Sequence, residues 1–399
     1  MLFRKMPKSG DEISVLGFGC MRLPLKDGKI DEERAISQIR YSIDNGVNYV
    51  DTAWPYHGGE SEPLLGKALR DGYREKVKVA TKLPSWLIKS RSDMDKYLNA
   101  QLERIGTDHI DYYLIHSLNA NLWQNAVKYD VADFLDSAKA DGRIINAGFS
   151  FHGLAPDFIQ IIDAYDWDFC QIQHNYLDRQ FQAGEEGLRH AAEKKVGVIV
   201  MEPLRGGYLG MPEPPKAVQE IWDEADIKRT PVEWALRWVW NNPDVTLVLS
   251  GMNEEAHVEE NIRVASEALP SQLTEKELSL VDRAAEKYKE LLKVDCTGCG
   301  YCMPCPSGVR IPYCFDAYNS MFLFDDEERA KFKYASSLNT MTYGKTGYAS
   351  QCVECGECLE KCPQGLPIPD LLRDVAEVFE GEGFLERVEM IKKFFAREA

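Results

Sequence analysis

Over its first 265 residues the chain alternates short apolar or β-branched runs with amphipathic segments, eight times in succession. The strand candidates are Leu16–Cys20, Val47–Val50, Val77–Thr81, Ile110–Ile115, Ile144–Phe149, Phe169–Gln173, Val196–Met201 and Thr246–Leu249. Between them, helical spacing of apolar positions marks Asp31–Asn45, Glu60–Leu69, Ser92–Ile105, Val127–Ala140, Pro156–Ala164, Glu185–Lys194, Pro231–Asn241 and Glu254–Ala265. A short unbroken apolar run is the signature of a strand covered on both faces, and the helices supply the cover. Helix stops such as Asn45-Gly46 and Asp141-Gly142 close several of them. Eight strand–helix units in single file predict an α/β fold, a closed (β/α)8 barrel of the TIM type. An open doubly wound sheet is the alternative, but no Gly-x-Gly-x-x-Gly follows the first strand candidate.

In such a barrel the loops after the strands converge on one mouth, where function gathers. The polar residues of this chain fall at those ends. Asp51 follows the second strand candidate, Lys82 the third, His116 the fourth and Ser150 the fifth. Gln171 to Asn175 spans the end of the sixth, Glu202 to Gly206 follows the seventh and Ser250-Gly251 the eighth. Each alone has a bland explanation, since an Asp caps turns and a single His after a strand is usually a satisfied core residue. Seven positions in step are harder to assign to chance.

Composition narrows the class. With 44% hydrophobic and 28% charged residues the chain reads as a soluble globular protein. No apolar run approaches the 18 or more residues of a membrane span, so a cytoplasmic location is expected. The formal net charge of -17 argues against nucleic acid as a partner, because phosphate binding needs a basic surface.

The C-terminal part carries different chemistry. Two cysteine runs repeat each other: Cys296, Cys299, Cys302, Cys305-Pro306 and Cys352, Cys355, Cys358, Cys362-Pro363. The segments after them also match, Ser307-Gly308-Val-Arg-Ile311-Pro312 against Gln364-Gly365-Leu-Pro-Ile368-Pro369. This spacing resembles that of bacterial two-cluster ferredoxins, in which three thiolates of one run and the last of the other hold each 4Fe-4S cube. The rule assigns Cys296, Cys299, Cys302 and Cys362 to one cluster, and Cys352, Cys355, Cys358 and Cys305 to the other. The first run is one residue short before its last cysteine, so Cys314 competes with Cys305 as the eighth ligand, and the Cys-Pro-x-Gly alignment favours Cys305. Zinc is the alternative metal, though its sites usually use two separated Cys-x2-Cys pairs. A disulfide framework is not expected, since Met1-Leu-Phe-Arg-Lys leads into no apolar export signal. Cys20 and Cys170 lie in apolar or strand-like segments and read as buried thiols. Leu273 to Leu292 reads as an amphipathic helix joining the two parts, opened by a Thr274-x-x-Glu277 capping box. Further helices are expected near Tyr313 to Leu323 and Glu327 to Ser336. The expected domains are 1–292, the barrel, and 293–399, a mainly helical ferredoxin-like iron-sulfur domain.

The first part resembles the aldo-keto reductase superfamily, in the branch with a C-terminal ferredoxin-like domain. The carrying segments are Leu16-Gly-Phe-Gly-Cys-Met-Arg-Leu-Pro24, Val50-Asp51-Thr-Ala-Trp-Pro-Tyr56, Ala80-Thr-Lys82, Asp111-Tyr-Tyr-Leu-Ile-His116 and Glu260-Asn261. The resemblance implies a catalytic tetrad of Asp51, Tyr56, Lys82 and His116. Tyr56 would give a proton to a carbonyl accepting hydride, with Lys82 lowering the pKa of its phenol, Asp51 holding Lys82, and His116 orienting the substrate oxygen. Trp54, Trp86 and Trp123 are candidate walls of an apolar pocket. A nicotinamide cofactor, NADPH or NADH, is implied at Ser150, Gln171, Pro203, Leu204, Gly206, Ser250, Gly251 and Asn261. Many members grip the adenosine 2'-phosphate with a Lys-Ser pair and an Arg; this chain has Gly251-Met252 and His257, with Glu254 and Glu255 nearby.

A cluster moves one electron and a nicotinamide moves a hydride, so the two halves normally need a flavin or radical step between them, and no flavin motif is visible. The expected function is reduction of a small carbonyl or conjugated molecule, with electrons from a nicotinamide, from ferredoxin or another redox protein through the clusters, or from both. The alternative is an electron-transfer protein that docks a redox partner, with the barrel as scaffold.

Overall fold

The computed structural model describes residues 1–291, 293–294, 296, 302–338, 345–362 and 365–396. They form two compact units, 1–210 with 229–278 and 211–228 with 279–399.

The first unit is a closed barrel of eight parallel strands, β1 (Leu16–Gly19), β2 (Tyr49–Asp51), β3 (Lys78–Leu83), β4 (Ile110–Leu118), β5 (Ile144–Phe151), β6 (Phe169–Gln173), β7 (Gly197–Met201) and β8 (Val245–Ser250). Each strand pairs with the next, and β8 closes on β1. Helices α1 (Glu32–Asp44), α2 (Ser61–Ala68), α3 (Arg91–Ile105), α4 (Ala120–Lys128), α5 (Val131–Ala140), α6 (Ala155–Asp163) and α7 (Gly184–Glu193) follow the first six strands. The predicted helix over Val127–Ala140 is instead two, α4 and α5. The break lies at Tyr129-Asp130, where Asp130 turns to φ +56°. An antiparallel pair, Phe3–Lys5 with Glu12–Ser14, precedes β1 and has no counterpart in the sequence expectation.

Strand alternation sorts the interior. Tyr49, Ala80, Tyr112, Leu114, Phe169, Ile199, Leu247 and Leu249 pack with Met6 and Ile13 into one apolar cluster that fills the lower lumen. A larger apolar layer lies between strands and helices. The observed strands run up to three residues past the apolar runs that predicted them. Each extension begins with a polar residue at the mouth, Asp51, Lys82, His116, Ser150 or Ser250.

The second unit includes α8 (Lys216–Trp222) and, beyond α9 (Pro231–Asn241), α10 (Glu255–Ala265) and α11 (Glu275–Glu290), the helices α12 (Ile311–Phe324), α13 (Glu327–Ser337), α14 (Glu357–Lys361), α15 (Ile368–Phe379) and α16 (Phe384–Ala396). The predicted capping box of α11 is present: Glu277 N–H donates to Thr274 Oγ1 at 3.2 Å and Thr274 N–H to Glu277 Oε2 at 2.9 Å. The sequence repeat is also a structural one. Gly308 N–H donates to Cys305 O at 2.9 Å and Gly365 N–H to Cys362 O at 3.1 Å, closing the same turn twice. Both glycines have positive φ, +80° and +62°, which a side chain resists. Each turn then leads into a helix opened by Ile-Pro, α12 and α15. These two helices pack together in the core of the unit, with Phe315, Tyr334, Leu372, Phe379 and Phe384. No helix among the described residues is long and apolar enough to cross a membrane.

Candidate active site

Asp51 on β2 pairs with Ala80 on β3, and Lys82 on β3 pairs with Leu114 on β4. Two-residue alternation therefore gives Asp51, Lys82 and His116 the same facing as the lumen residues Tyr49, Ala80 and Leu114, one layer nearer the mouth. Lys82 is fully buried, at 0% exposure. Its Nζ donates to Asp51 Oδ1 at 2.6 Å, to Thr52 O at 2.8 Å and to Tyr56 Oη at 3.3 Å. Tyr56 opens a short helical turn after β2, in a loop where His57 and Gly58 both take left-handed backbone angles. His116 is 8% exposed; its ring meets Tyr56 edge-on, with centroids 6.0 Å apart, and lies 5.2 Å from Trp86. The four residues of the expected tetrad thus lie together in one cluster.

The electrostatics are set by burial. Burial pushes the Tyr56 phenol above its usual value, and the adjacent Lys82 charge pulls it partly back. The expected lowering is therefore real as a contribution and is outweighed in sum. Burial also disfavours the Lys82 charge, yet Asp51 and then Tyr56 lift its pKa above the ordinary lysine value, so the ammonium persists. Asp51 is raised by burial despite Lys82. His116 is held well below 6.5 by burial, and Lys82 lowers it further. Its buried Nδ1 has no partner among the described residues.

Of the three tryptophans, only Trp86 adjoins the tetrad. Trp54 turns towards α3, edge-on to Tyr97, with the Arg104 guanidinium 3.5 Å from its ring centroid. Trp123 packs on Trp167 and belongs with the outer core.

The residues named for a nicotinamide divide. Ser150 and Gln171 are direct partners across β5 and β6 and share the lumen face. Ser250 has the opposite facing from Leu249 and meets α10, where Asn261 Nδ2 donates to its Oγ at 2.9 Å. Pro203, Leu204 and Gly206 lie on the loop after β7, with Gly206 at φ +70°. A side chain at Gly251 would meet Arg22 at 3.0 Å, so the ends of β1 and β8 come close there. Gln171 Oε1 and Asn261 Oδ1 are buried acceptors with no partner among the described residues. Such orphans fit a bound group that brings its own donors. Sequence reasoning gave no role to Arg22, which reaches Glu202 at 3.5 Å, or to His152, whose Nδ1 lies 3.4 Å from Gln182 Nε2. Only their place just past strand ends could have flagged them.

In the second unit Cys302, Cys305, Cys352, Cys355 and Cys358 line one pocket, of about 360 Å³ counting its open side. Burial raises the Cys358 thiol, and Cys352, Cys355 and Cys305 raise it further, so these three lie within electrostatic reach of Cys358. Cys314 is elsewhere: fully buried on α12, its Sγ 3.6 Å from Gly347 O, with its thiol pushed up by burial. Cys296 and Cys362 pack against the core of the unit, and Cys299 lies outside the described residues. Asn319 secures the approach to Cys296, accepting from the N–H groups of Lys293 and Val294 at 2.8 Å each. Among the described residues no three His, Cys, Asp or Glu side chains form a set for a metal ion. One ion with four thiolates at about 2.3 Å each would need a tighter set than a four-iron cube does. As a donor set, Cys305, Cys352, Cys355 and Cys358 around this pocket fit such a cube, with Cys302 also lining it. Cys20 and Cys170 are buried thiols, as expected.

Comparison with known proteins agrees with this architecture. Residues 15–286 match the model of the Aldo/keto reductase family, and residues 295–366 match a 4Fe-4S dicluster domain. The chain is 27% identical to an L-galactose dehydrogenase of Arabidopsis thaliana, over 72% of this chain and 95% of that one. It is 25% identical to an NADH-specific methylglyoxal reductase of Escherichia coli, over 71% and 98%. Among solved structures, the holo form of aldo-keto reductase AKR11C1 from Bacillus halodurans superposes with a TM-score of 0.61 at 25% identity, over 71% and 96%. With more than half of its length matched, the chain belongs to the Aldo/keto reductase family, as an oxidoreductase that carries a C-terminal 4Fe-4S dicluster domain.

Proposed function

We propose that the barrel, residues 1–292, reduces the carbonyl of a small molecule with Tyr56 as proton donor. We further propose that residues 293–399 hold two 4Fe-4S clusters for one-electron exchange with a redox protein such as ferredoxin. The observation that carries the first reading is the set of contacts from Lys82 Nζ to Asp51 at 2.6 Å and to Tyr56 at 3.3 Å.

NADPH or NADH, when bound, would supply hydride to the carbonyl carbon. Negative charge then grows on the carbonyl oxygen, which needs a donor within hydrogen-bond reach. Tyr56 Oη gives that proton. The Lys82 ammonium stabilises the phenolate left behind, and Asp51 with Thr52 O keeps the ammonium aimed at it. His116, neutral because it is buried, offers a ring N–H to the same oxygen without drawing in water around a second cation. Trp86 covers His116 and gives the substrate an apolar wall. Ser150 and Gln171 would hold the carboxamide end of the cofactor, and Pro203, Leu204, Gly206, Ser250, Gly251 and Asn261 its ring and phosphates. Cys305, Cys352, Cys355 and Cys358 would hold one cluster, and Cys296, Cys299, Cys302 and Cys362 the other; the clusters supply single electrons when bound.

The relatives named for methylglyoxal and L-galactose support a small oxo compound as substrate class. The test is anaerobic purification, iron and sulfide analysis, and nicotinamide oxidation with methylglyoxal and a panel of small aldehydes and ketones. Turnover that vanishes in Tyr56→Phe supports the reading. Turnover that survives that change, or zinc in place of iron, overturns the corresponding half. Bleaching of the cluster absorbance by NADH or NADPH would link the two halves.

A further inference from the structure

We propose that Ser61 and Glu62, the first two residues of α2, are positioning residues that bracket Lys82 and hold its ammonium against Tyr56; this rests on Tyr56 being the proton donor. The bracket grips Lys82 from both ends. At the ammonium end, Thr52 O accepts from Lys82 Nζ at 2.8 Å, and the Thr52 and Ser61 hydroxyls hydrogen-bond at 2.8 Å. Ser61 Oγ donates in turn to Cys20 O at 3.2 Å, which leaves Thr52 as donor to Ser61. At the backbone end, Gln101 Nε2 on α3 donates to Lys82 O at 3.0 Å and to Glu62 Oε1 at 2.6 Å. Glu62 Oε1 also accepts from Thr81 Oγ1 at 2.7 Å, on the residue preceding Lys82.

The same carboxylate reaches the loop that carries Tyr56. Glu62 Oε2 accepts from Arg104 at 3.2 Å, and Arg104 lies against the ring of Trp54. One helix start thus ties the catalytic lysine's carbonyl, the acceptor of its ammonium and the phenol's loop into one polar network. Close approach of the helices makes this reach feasible. One turn beyond Glu62, a Cβ on Gly66 would come within 2.4 Å of Ile105 O, so only glycine lets α2 lie against the end of α3. Glu62 itself is 0% exposed, and a buried carboxylate is tolerated only where its oxygens are satisfied, as here. A fully satisfied buried network is stiff, which a positioning role requires.

The test uses the full-length holoprotein, and its first readout needs no substrate. Tyrosinate absorbance is titrated in wild type, Glu62→Gln and Ser61→Ala, each against the same protein carrying Tyr56→Phe, so that the difference reads the Tyr56 phenol alone. If the bracket positions Lys82, loosening it takes the cation away and the Tyr56 midpoint rises, by about one pH unit for Glu62→Gln and less for Ser61→Ala. If Glu62 acted only through its charge, its neutralisation would move the midpoint down. A structural role alone would lower the melting temperature and leave the midpoint in place. An unmoved or lowered midpoint in both variants overturns the proposal. Ser61→Ala changes no charge and keeps the test decisive should Glu62→Gln fail to fold. Methylglyoxal turnover separates the two readings: if Tyr56→Phe turns over as wild type does, the proton-donor reading falls. If it is inactive while both variants titrate like wild type, only the bracket falls.

Discussion

At the barrel mouth a buried ammonium is met by a carboxylate, a carbonyl and a phenol, whereas in the cysteine-rich unit thiols face thiols. The contrast shows in the direction of the shifts. Lys82 keeps its charge because Asp51 stands beside it, while Cys358 is made harder to ionise by burial and by its neighbours Cys352, Cys355 and Cys305. The barrel site is therefore assembled by attractions within the chain, and packing below it holds the strands whether or not a ligand is bound. The cysteine site gathers groups that repel once ionised, and metal binding is what turns that repulsion into cohesion. One region should tolerate loss of its ligand; the other should not.

The sharpest way to break this comparison is to remove a single atom from the barrel. Tyr56→Phe deletes the phenol oxygen and leaves the ring on Lys82 and His116, so turnover should fall on the order of 10²–10⁴-fold. Nicotinamide affinity, iron content and melting temperature should stay near wild type. A comparable fall in iron would mean that the two sites are not independent. The converse change is Cys358→Ser, which takes one thiol from the shared pocket. Iron and sulfide should drop by about half and the melting transition of the second unit should weaken, because metal binding is folding energy there. The Tyr56 tyrosinate titration should not move. If Cys358→Ser shifted it, the barrel site would depend on the clusters in a way its own hydrogen bonds do not require.

The two regions also differ in how much of them could be read from sequence. In the barrel, strand placement was legible because burial on both faces writes an apolar run, and each predicted strand overlaps an observed one. The ends were not legible, since Asp51, Lys82, His116 and Ser150 belong to the strands yet are polar, and periodicity stops where the lumen becomes a site. Facing was also hidden. Ser250 follows an apolar run just as Ser150 does, but the register turns Ser250 out towards α10 and Ser150 into the lumen. The bracket was invisible for a different reason: Ser61, Glu62, Gln101 and Arg104 look like ordinary helix-surface residues until α2 and α3 are packed together. The cysteine spacing, by contrast, named a candidate donor set, of which Cys305, Cys352, Cys355 and Cys358 lie around one pocket, while the repeated turns at Gly308 and Gly365 went unread. What spacing left open was Cys305 against Cys314. The difference is burial direction: Cys305 opens on the pocket, and Cys314 points into the apolar core of its unit.

Acid should separate the units more gently. All seven histidines fall between His57 and His257, in the barrel unit. His116, His152 and His174 are each held below 6.5, chiefly by burial, His174 to about 4. A folded pKa below the unfolded one means that the unfolded chain binds more protons as pH falls through 6.5. Barrel stability should therefore be fully present above that value and decline below it, with each such histidine adding a slope of about 1.4 kcal/mol per pH unit. For His174 the decline continues to about pH 4. Chemical denaturation of the barrel from pH 7.5 down, with His174→Asn as comparison, checks the sign and the share of one residue. An equal decline in the variant would mean that His174 is not buried as described, and the contrast with the histidine-free unit would lose its basis.

The smallest effect expected concerns cofactor choice, and it tests whether charge at the barrel rim is as settled within the chain as charge at Lys82. Arg34 donates to Glu254 at 2.5 Å and to Glu255 at 2.7 Å, and Gln38 adds a bond to Glu255 at 3.0 Å. Arg34 accordingly draws the Glu255 carboxyl down to about 2, so that acid stays ionised at neutral pH. A cation already shared by two carboxylates offers little to an added phosphate, and the second carboxylate repels it. NADH should then bind at least as tightly as NADPH, the cofactors differing by a few-fold, and Glu254→Gln should shift the ratio towards NADPH. Because these groups are exposed, raising the salt concentration should shrink the difference. Fluorescence titration of both cofactors at low and high salt measures it directly. A clear preference for NADPH that persists in high salt would mean that a cation elsewhere at the mouth grips the phosphate, and Arg22, beside Gly206 and Gly251, would be the first residue to replace.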